Sequence, residues 1–287
     1  MSTETFTMLG TGMIGAGMAQ RWAVSGKAVH VWNRSSEKTA PLVALGATAF
    51  ESAADAARGA AYVHIALSDD AAVDGLLDGM VGAGALTKDT LVVDHTTTST
   101  FGTKVRAERL SKLGLRFLHA PVFMSPAMCV DGKGLMLLSG PEELRLAVKP
   151  HLSTMTGEVL DLGVRADAAS AYKLFGNAMI VALGAGISDV FAIARANAID
   201  PVEALGLFAK FSPTVNNPRS AKMARGEFLP ASFTLTMARK DVRLMIESAK
   251  DEQLGVLPAI MARMDALIER GYGESDVGAL AARDENT

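Results

Sequence analysis

The chain has 287 residues, 49% hydrophobic and 21% charged, enough to bury a full core and to form two domains. Its 28 basic and 31 acidic residues leave a formal charge of -3, too weak a field to attract nucleic acid or an anionic membrane, so neither is expected as a partner. A single cysteine, Cys129, excludes an intrachain disulfide and a cysteine-based metal cluster, no metal site is expected, and the usage fits the cytoplasm.

Met1 to Thr7 carry no basic segment followed by an apolar run, and no stretch reaches about eighteen apolar residues without a charge or glycine break. Neither export nor membrane insertion is expected. From Phe6 to about Leu162, short β-type runs alternate with alanine-rich helical stretches: FTMLG, AVHVW, AYVHIAL, TLVVDHT, LRFLHAPV, GLMLLSG and EVLDLG. The alternation predicts an α/β fold with a parallel sheet. The intervening segments Met13 to Ser25 and Ser35 to Leu45 are read as helices that end at Gly26 and Gly46, residues suited to C-cap positions.

The first run leads into Gly10-Thr11-Gly12-Met13-Ile14-Gly15, a G-x-G-x-x-G turn between a strand and a helix. In that context Gly10 permits the tight turn, Gly12 lets the backbone approach a pyrophosphate, and Gly15 lets helix and strand pack closely. The helix N-terminus adds amides and partial positive charge, so a dinucleotide is the expected ligand. The second run ends in VWNRSSEK, with no carboxylate at the strand end to hold a ribose 2′-hydroxyl. Asn33, Arg34, Ser35 and Lys38 instead offer donors and positive charge, which favours NADP(H), with NAD(H) as the alternative. The competing reading is a solvated turn. Leu67, Ser68, Thr96 and Thr97 follow later strand-like runs and are expected to line the same cleft, Thr97 on its substrate side.

Beyond Gly163 the remainder reads as helical. Asp167 is placed to cap the segment AASAYKLFGNAMIVALGAGISDVFAIARANAI, whose apolar residues surround the helix and predict burial on several sides. Pro201, Pro213, Pro218, Pro230 and Pro258 divide the tail into shorter helices. Lys173 and Asn177 lie four residues apart on one face of the long helix. A buried amine beside an oxidised nicotinamide would have a lowered pKa and would exchange a proton with a carbonyl oxygen, while Asn177 would orient it. A lysine that snorkels to the surface is the other reading.

These segments together resemble the β-hydroxyacid dehydrogenase family, which includes 3-hydroxyisobutyrate dehydrogenases and glyoxylate/succinic semialdehyde reductases within the 6-phosphogluconate dehydrogenase superfamily. LGTGMIGAGMA is similar to its dinucleotide loop, VDHTTTS to its D-x-S-T segment, YKLFGN to its K-x-x-x-N motif and FTLTMARKDVRL to its F-x-x-x-L-x-x-K-D-x-x-L stretch. The resemblance implies Lys173 as acid/base and places Phe233, Lys240 and Asp241 beside nicotinamide and substrate. From spacing alone, Lys240 and Asp241 read equally as a solvated ion pair. It further implies a Rossmann domain over residues 1–163, an interdomain helix over 164–195, an all-α domain over 196–287, and a homodimer or larger homo-oligomer.

The family's substrate loop usually reads A-P-V-S-G-G, and here it is APVFMSP, so Phe123, Met124 and Ser125 stand where Ser-Gly-Gly is expected. Two bulky apolar side chains narrow an anion-binding nest and suit a larger or more apolar carbonyl compound, unless the backbone amides still hold an acid group. The same loop is similar to that of imine reductases, although a protonated Lys173 would repel an iminium. Carbonyl reduction or alcohol oxidation on a small molecule therefore ranks first, imine reduction second, and a non-catalytic NADP(H)-binding module third.

Overall fold

In the computed structural model, residues 5–196, 198–211, 218–248 and 257–283 are described. The chain divides into two compact units, Met1–Lys173 and Leu174–Thr287. The boundary falls inside one long helix.

In the first unit, strands β1 (Thr5–Leu9), β2 (Ala28–Trp32), β3 (Thr48–Ala49), β4 (Tyr62–Ile65), β5 (Leu91–Asp94) and β6 (Arg116–His119) form a parallel sheet ordered β3-β2-β1-β4-β5-β6. The order reverses direction between β1 and β4, so the loops after these two strands open beside each other at the sheet's carboxyl end, where α/β sheets bind ligands. Period-two alternation explains the register: Phe6 and Met8 enter the core under helix α1 (Met13–Val24), whereas Leu9 joins Val63 and Ile65 in a core under the opposite face.

The seven runs expected in one parallel sheet divide between two. LRFLHAPV breaks after His119, and its last residues begin β7 (Val122–Phe123), antiparallel to β8 (Leu135–Leu138), which pairs in parallel with β9 (Glu158–Asp161). Pro121 lacks the N–H that would continue the ladder, which is the physical reason for the break. The two-residue β3 is too short to give a periodic signal. The helix expected over Ser35 to Leu45 is a 3-10 turn, Ser36–Thr39, followed by the short α2 (Ala40–Val43), because Pro41 has no N–H to donate into a preceding helical turn. Gly26 and Gly46 do adopt positive φ after their helices. Connecting helices are α3 (Ala53–Ala57), α4 (Asp70–Gly82), α5 (Thr100–Lys112), α6 (Pro126–Asp131) and α7 (Glu142–Leu152).

Helix α8 (Ala168–Ala196) carries the chain into the second unit, about 43 Å of helix. The Asp167 carbonyl accepts from Ala171 N–H at 3.0 Å at its start. The second unit is helical where described: α9 (Pro201–Phe211), α10 (Pro218–Arg225), α11 (Leu235–Ser248) and α12 (Leu257–Leu267). Pro201 and Pro218 open α9 and α10, positions where the missing N–H costs nothing; Pro213 lies outside the described residues. This unit's core joins Leu174 and Val181 of α8 to Leu235 and Val242 of α11 and Met264 of α12. Among the described residues no helix is long and apolar enough to cross a membrane.

Candidate cofactor and catalytic site

The turn after β1 is built by steric necessity. Gly10 holds φ +97°, and a Cβ there would strike the Ala66 carbonyl oxygen after β4; a Cβ on Gly15 would strike the Gly10 carbonyl oxygen. Gly12, the extended N-cap of α1, has open space where its Cβ would stand, so a phosphate can approach the backbone. Thr11 N–H donates to Asn33 Oδ1 at 2.9 Å, and Asn33 Nδ2 donates to the Ser35 carbonyl at 3.0 Å, tying the turn to the end of β2. Thr11 Oγ1 is buried without a hydrogen-bond partner. A cradle of open amides and an unspent hydroxyl fits a dinucleotide. Met13 and Ile14 form the first turn of α1, and Met13 is exposed. Arg34 and Lys38 project into solvent, and Ser35 is half-buried at the start of the 3-10 turn.

The other expected loop residues join this frame. Leu67 N–H donates to Thr96 Oγ1 at 3.0 Å, and Thr96 N–H donates to Asp94 Oδ1 at 2.9 Å. Ser68 Oγ donates to Asp69 Oδ2 at 2.8 Å, while Asp69 Oδ1 caps α4 through Ala72 N–H. Thr97 is half-buried beside them. Behind them stands a group that sequence reasoning missed: the buried guanidinium of Arg106 binds Asp70 at 3.0 Å and Asp74 at 2.9 Å, and lies 3.9 Å from the buried Asp94. Asp70 and Asp74 at i, i+4 on α4 were the available signal.

A file of histidines was missed as well. His95 Nδ1 lies 2.6 Å from the Ala120 carbonyl oxygen, His64 Nδ1 2.9 Å from His95 Nε2, and His151 Nε2 2.9 Å from His64 Nε2. A carbonyl only accepts, so the neutral chain has one consistent set of tautomers: His151 donates to His64, His64 to His95, and His95 to Ala120. Burial pushes His95 down to about 4 and His151 to about 4, the latter helped by Lys27; burial and its two histidine neighbours hold His64 well below the usual range. His119, lowered by burial, meets the Thr96 carbonyl through Nε2 at 2.9 Å. Trp22 packs on His64 with ring centroids 4.9 Å apart.

The substrate-loop candidates occupy an ordered turn. Phe123 ends β7, Met124 follows it, and Ser125 is the N-cap of α6, its hydroxyl accepting from Met128 N–H at 3.2 Å, with Pro126 at the first helical position. Helix α6 packs on α1, where a Cβ on Gly17 would come within 2.7 Å of Cys129 Cβ. Lys173 is half-buried, between the buried amine and the surface-reaching lysine that the sequence allows, because it lies in the opening turns of α8 beside the exposed Tyr172. Its Nζ stands 4.2 Å from the centre of the Phe123 ring.

In the second unit, buried Asn177 donates through Nδ2 to Asp241 Oδ2 at 2.6 Å, and Lys240 Nζ lies 2.7 Å from Asp241 Oδ1. Asp241 is 2% exposed, so the Lys240 pair is not a solvated one. Phe233 precedes α11, its N–H donating to Asp276 Oδ2 at 3.3 Å. Burial opposes ionisation of Asp276, yet Arg219 and the N–H groups of Gly278 and Ser232 keep its carboxyl below the usual range. The structure thus assembles the glycine turn, Asn33, Leu67 and Thr96 into one frame, brings Lys173 to Phe123, and gathers Asn177, Lys240 and Asp241.

A sequence profile described as the NAD binding domain of 6-phosphogluconate dehydrogenase matches residues 5–163. An oxidoreductase of Bacillus subtilis, YfjR, is 29% identical over 95% of this chain and 97% of its own. An NADPH-dependent reductive aminase of Aspergillus oryzae is 24% identical over 95% of this chain and 94% of its own. The fold is shared with 3-hydroxyisobutyrate dehydrogenase of Mycobacterium tuberculosis, solved with L-serine: TM-score 0.83, 19% identity, 97% of this chain and 98% of that one.

Proposed function

Because this chain belongs to the β-hydroxyacid dehydrogenase family, built on the NAD binding domain of 6-phosphogluconate dehydrogenase, and is an NAD(P)-dependent oxidoreductase, we propose that it interconverts a small carbonyl compound and its alcohol with Lys173 as acid/base and NADP(H) as the preferred cofactor. When bound, the nicotinamide supplies or accepts the hydride at the carbonyl carbon. Gly10 to Gly15 hold the pyrophosphate against the α1 N-terminus, and Arg34 with Ser35 and Lys38 meets the ribose 2′-phosphate. Leu67, Ser68 and Thr96 line the nicotinamide side. Lys173 gives its proton to the substrate oxygen in reduction and recovers it in oxidation. Asn177, held by Asp241, orients that exchange, with Phe233 and Lys240 serving the nicotinamide and Thr97, Phe123, Met124, Ser125 and Asp241 the substrate.

The observation that carries this reading is the Lys173 side chain in the opening turns of α8, its Nζ 4.2 Å from the ring centre of Phe123 on β7. Lys173→Ala is expected to lower kcat by about 10²–10⁴ with NADPH binding retained, and near-normal turnover in that variant overturns the role. Likeness to the Aspergillus reductive aminase favours imine reduction as a second reading, against which the positive charge of Lys173 counts. NADPH oxidation across aldehydes, keto acids and cyclic imines separates the two; imines as the sole substrates would reverse the ranking. The exposed Tyr172, Phe175 and Met179 on α8 support a homo-oligomer.

A further inference from the structure

Resting on the reading of Lys173 as acid/base, we propose that Phe123 is a positioning residue that holds the Lys173 side chain as an ammonium and thereby biases the enzyme toward carbonyl reduction. A cation within about 6 Å of an aromatic centroid is attracted by the ring's negative face, whereas a neutral amine is not. At 4.2 Å, Phe123 meets that condition.

Both partners are carried on fixed supports. Phe123 is paired with Leu135 of β8, and the adjoining Gly134 is so confined that a Cβ would come within 2.8 Å of the Phe123 carbonyl and 2.9 Å of Met124 Cγ. The first turn of α8 is pinned to the same unit: Ala169 N–H donates to Ser139 Oγ at 3.0 Å, and Ser170 Oγ donates to the Thr98 carbonyl at 2.5 Å. The ring and the lysine stem therefore meet without either element having to order itself first.

On the first-unit segments next to the contact, Asp167 pairs with Arg165 at 2.9 Å and Asp161 with Arg145 at 2.8 Å, while Phe123, Met124 and Ser125 carry no charge. Partial burial alone favours the neutral amine, and the ring opposes it. In reduction, an N–H bond of Lys173 breaks as an O–H bond forms on the substrate oxygen. The carbonyl carbon is reduced by the hydride of the nicotinamide, which is oxidised, and the lysine regains its proton from water. Keeping the ammonium populated keeps this acid available.

The test compares wild type, Phe123→Leu and Phe123→Tyr. In apo protein labelled with ¹³C-lysine, the Lys173 ε-methylene protons are expected upfield under the ring current, and Phe123→Leu removes that shift. In the same variant the lysine titration midpoint and the alkaline limb of the reduction profile both move down by about 0.5 pH unit, and Phe123→Tyr restores both. Unmoved titration and profile in Phe123→Leu, with Lys173→Ala inactive, overturn this inference alone. An active Lys173→Ala overturns the acid/base reading instead, and the apo titration, which needs no turnover, still decides the contact.

Discussion

Gly10 and Gly15 act through what they lack: each leaves room for a carbonyl oxygen that any side chain would displace. That is why the turn was legible in the sequence. The charge beside it is a different kind of evidence, since Arg34 is exposed just past the end of β2. Its proposed partner is the 2′-phosphate, a charge-assisted contact worth about 1.5–3 kcal/mol. Arg34→Ala is therefore expected to raise the NADPH Kd about tenfold or more and leave the NADH Kd unchanged in nicotinamide fluorescence titrations. Equal changes for both cofactors would refute the role. Lys173 and Asn177 were legible as a pair on one helix face, but what each touches was not: Phe123 lies fifty positions away in sequence and Asp241 more than sixty.

Among the elements, the apolar runs disclosed strands without disclosing partners. Nothing in LRFLHAPV says that its last residues leave one sheet for another; only Pro121 hints at the break. Arg106 shows the converse problem, because an arginine on α5 reads as a solvated residue until α4 and β5 surround it. It clamps those elements at the strand end that presents Thr96. Arg106→Ala leaves Asp94 buried and uncompensated and is expected to lower stability by about 3–5 kcal/mol in urea unfolding. A loss below about 0.5 kcal/mol would mean that the clamp contributes nothing measurable.

For the whole molecule, the distribution of histidine matters more than the net charge. All five histidines, at positions 30, 64, 95, 119 and 151, belong to the first unit. Burial holds His95 and His151 down at about 4 in the folded protein, against the ordinary imidazole value of about 6.5 in the unfolded chain. Between those values the unfolded chain binds protons that the folded one refuses, so stability falls as pH drops from 6.5 to 4 and levels off below. Each of the two contributes on the order of 3 kcal/mol to that loss. Hydrogen exchange at pH 5 is expected to show protection falling first in the first unit, and a pH-independent profile over this window would contradict the assignment. The sequence offered little warning, since a histidine inside YVHIAL resembles ordinary strand alternation.

The packing of Trp22 on His64 gives that file of imidazoles an optical consequence. A neutral imidazole leaves indole emission largely intact, whereas a protonated one accepts an electron from the excited ring and quenches it. The chain has two tryptophans, and the second, Trp32, bonds instead to the Glu51 carbonyl at 3.2 Å. In a Trp32→Phe background, the emission of Trp22 would report the arrival of a proton at the centre of the nucleotide-binding unit, with no added dye.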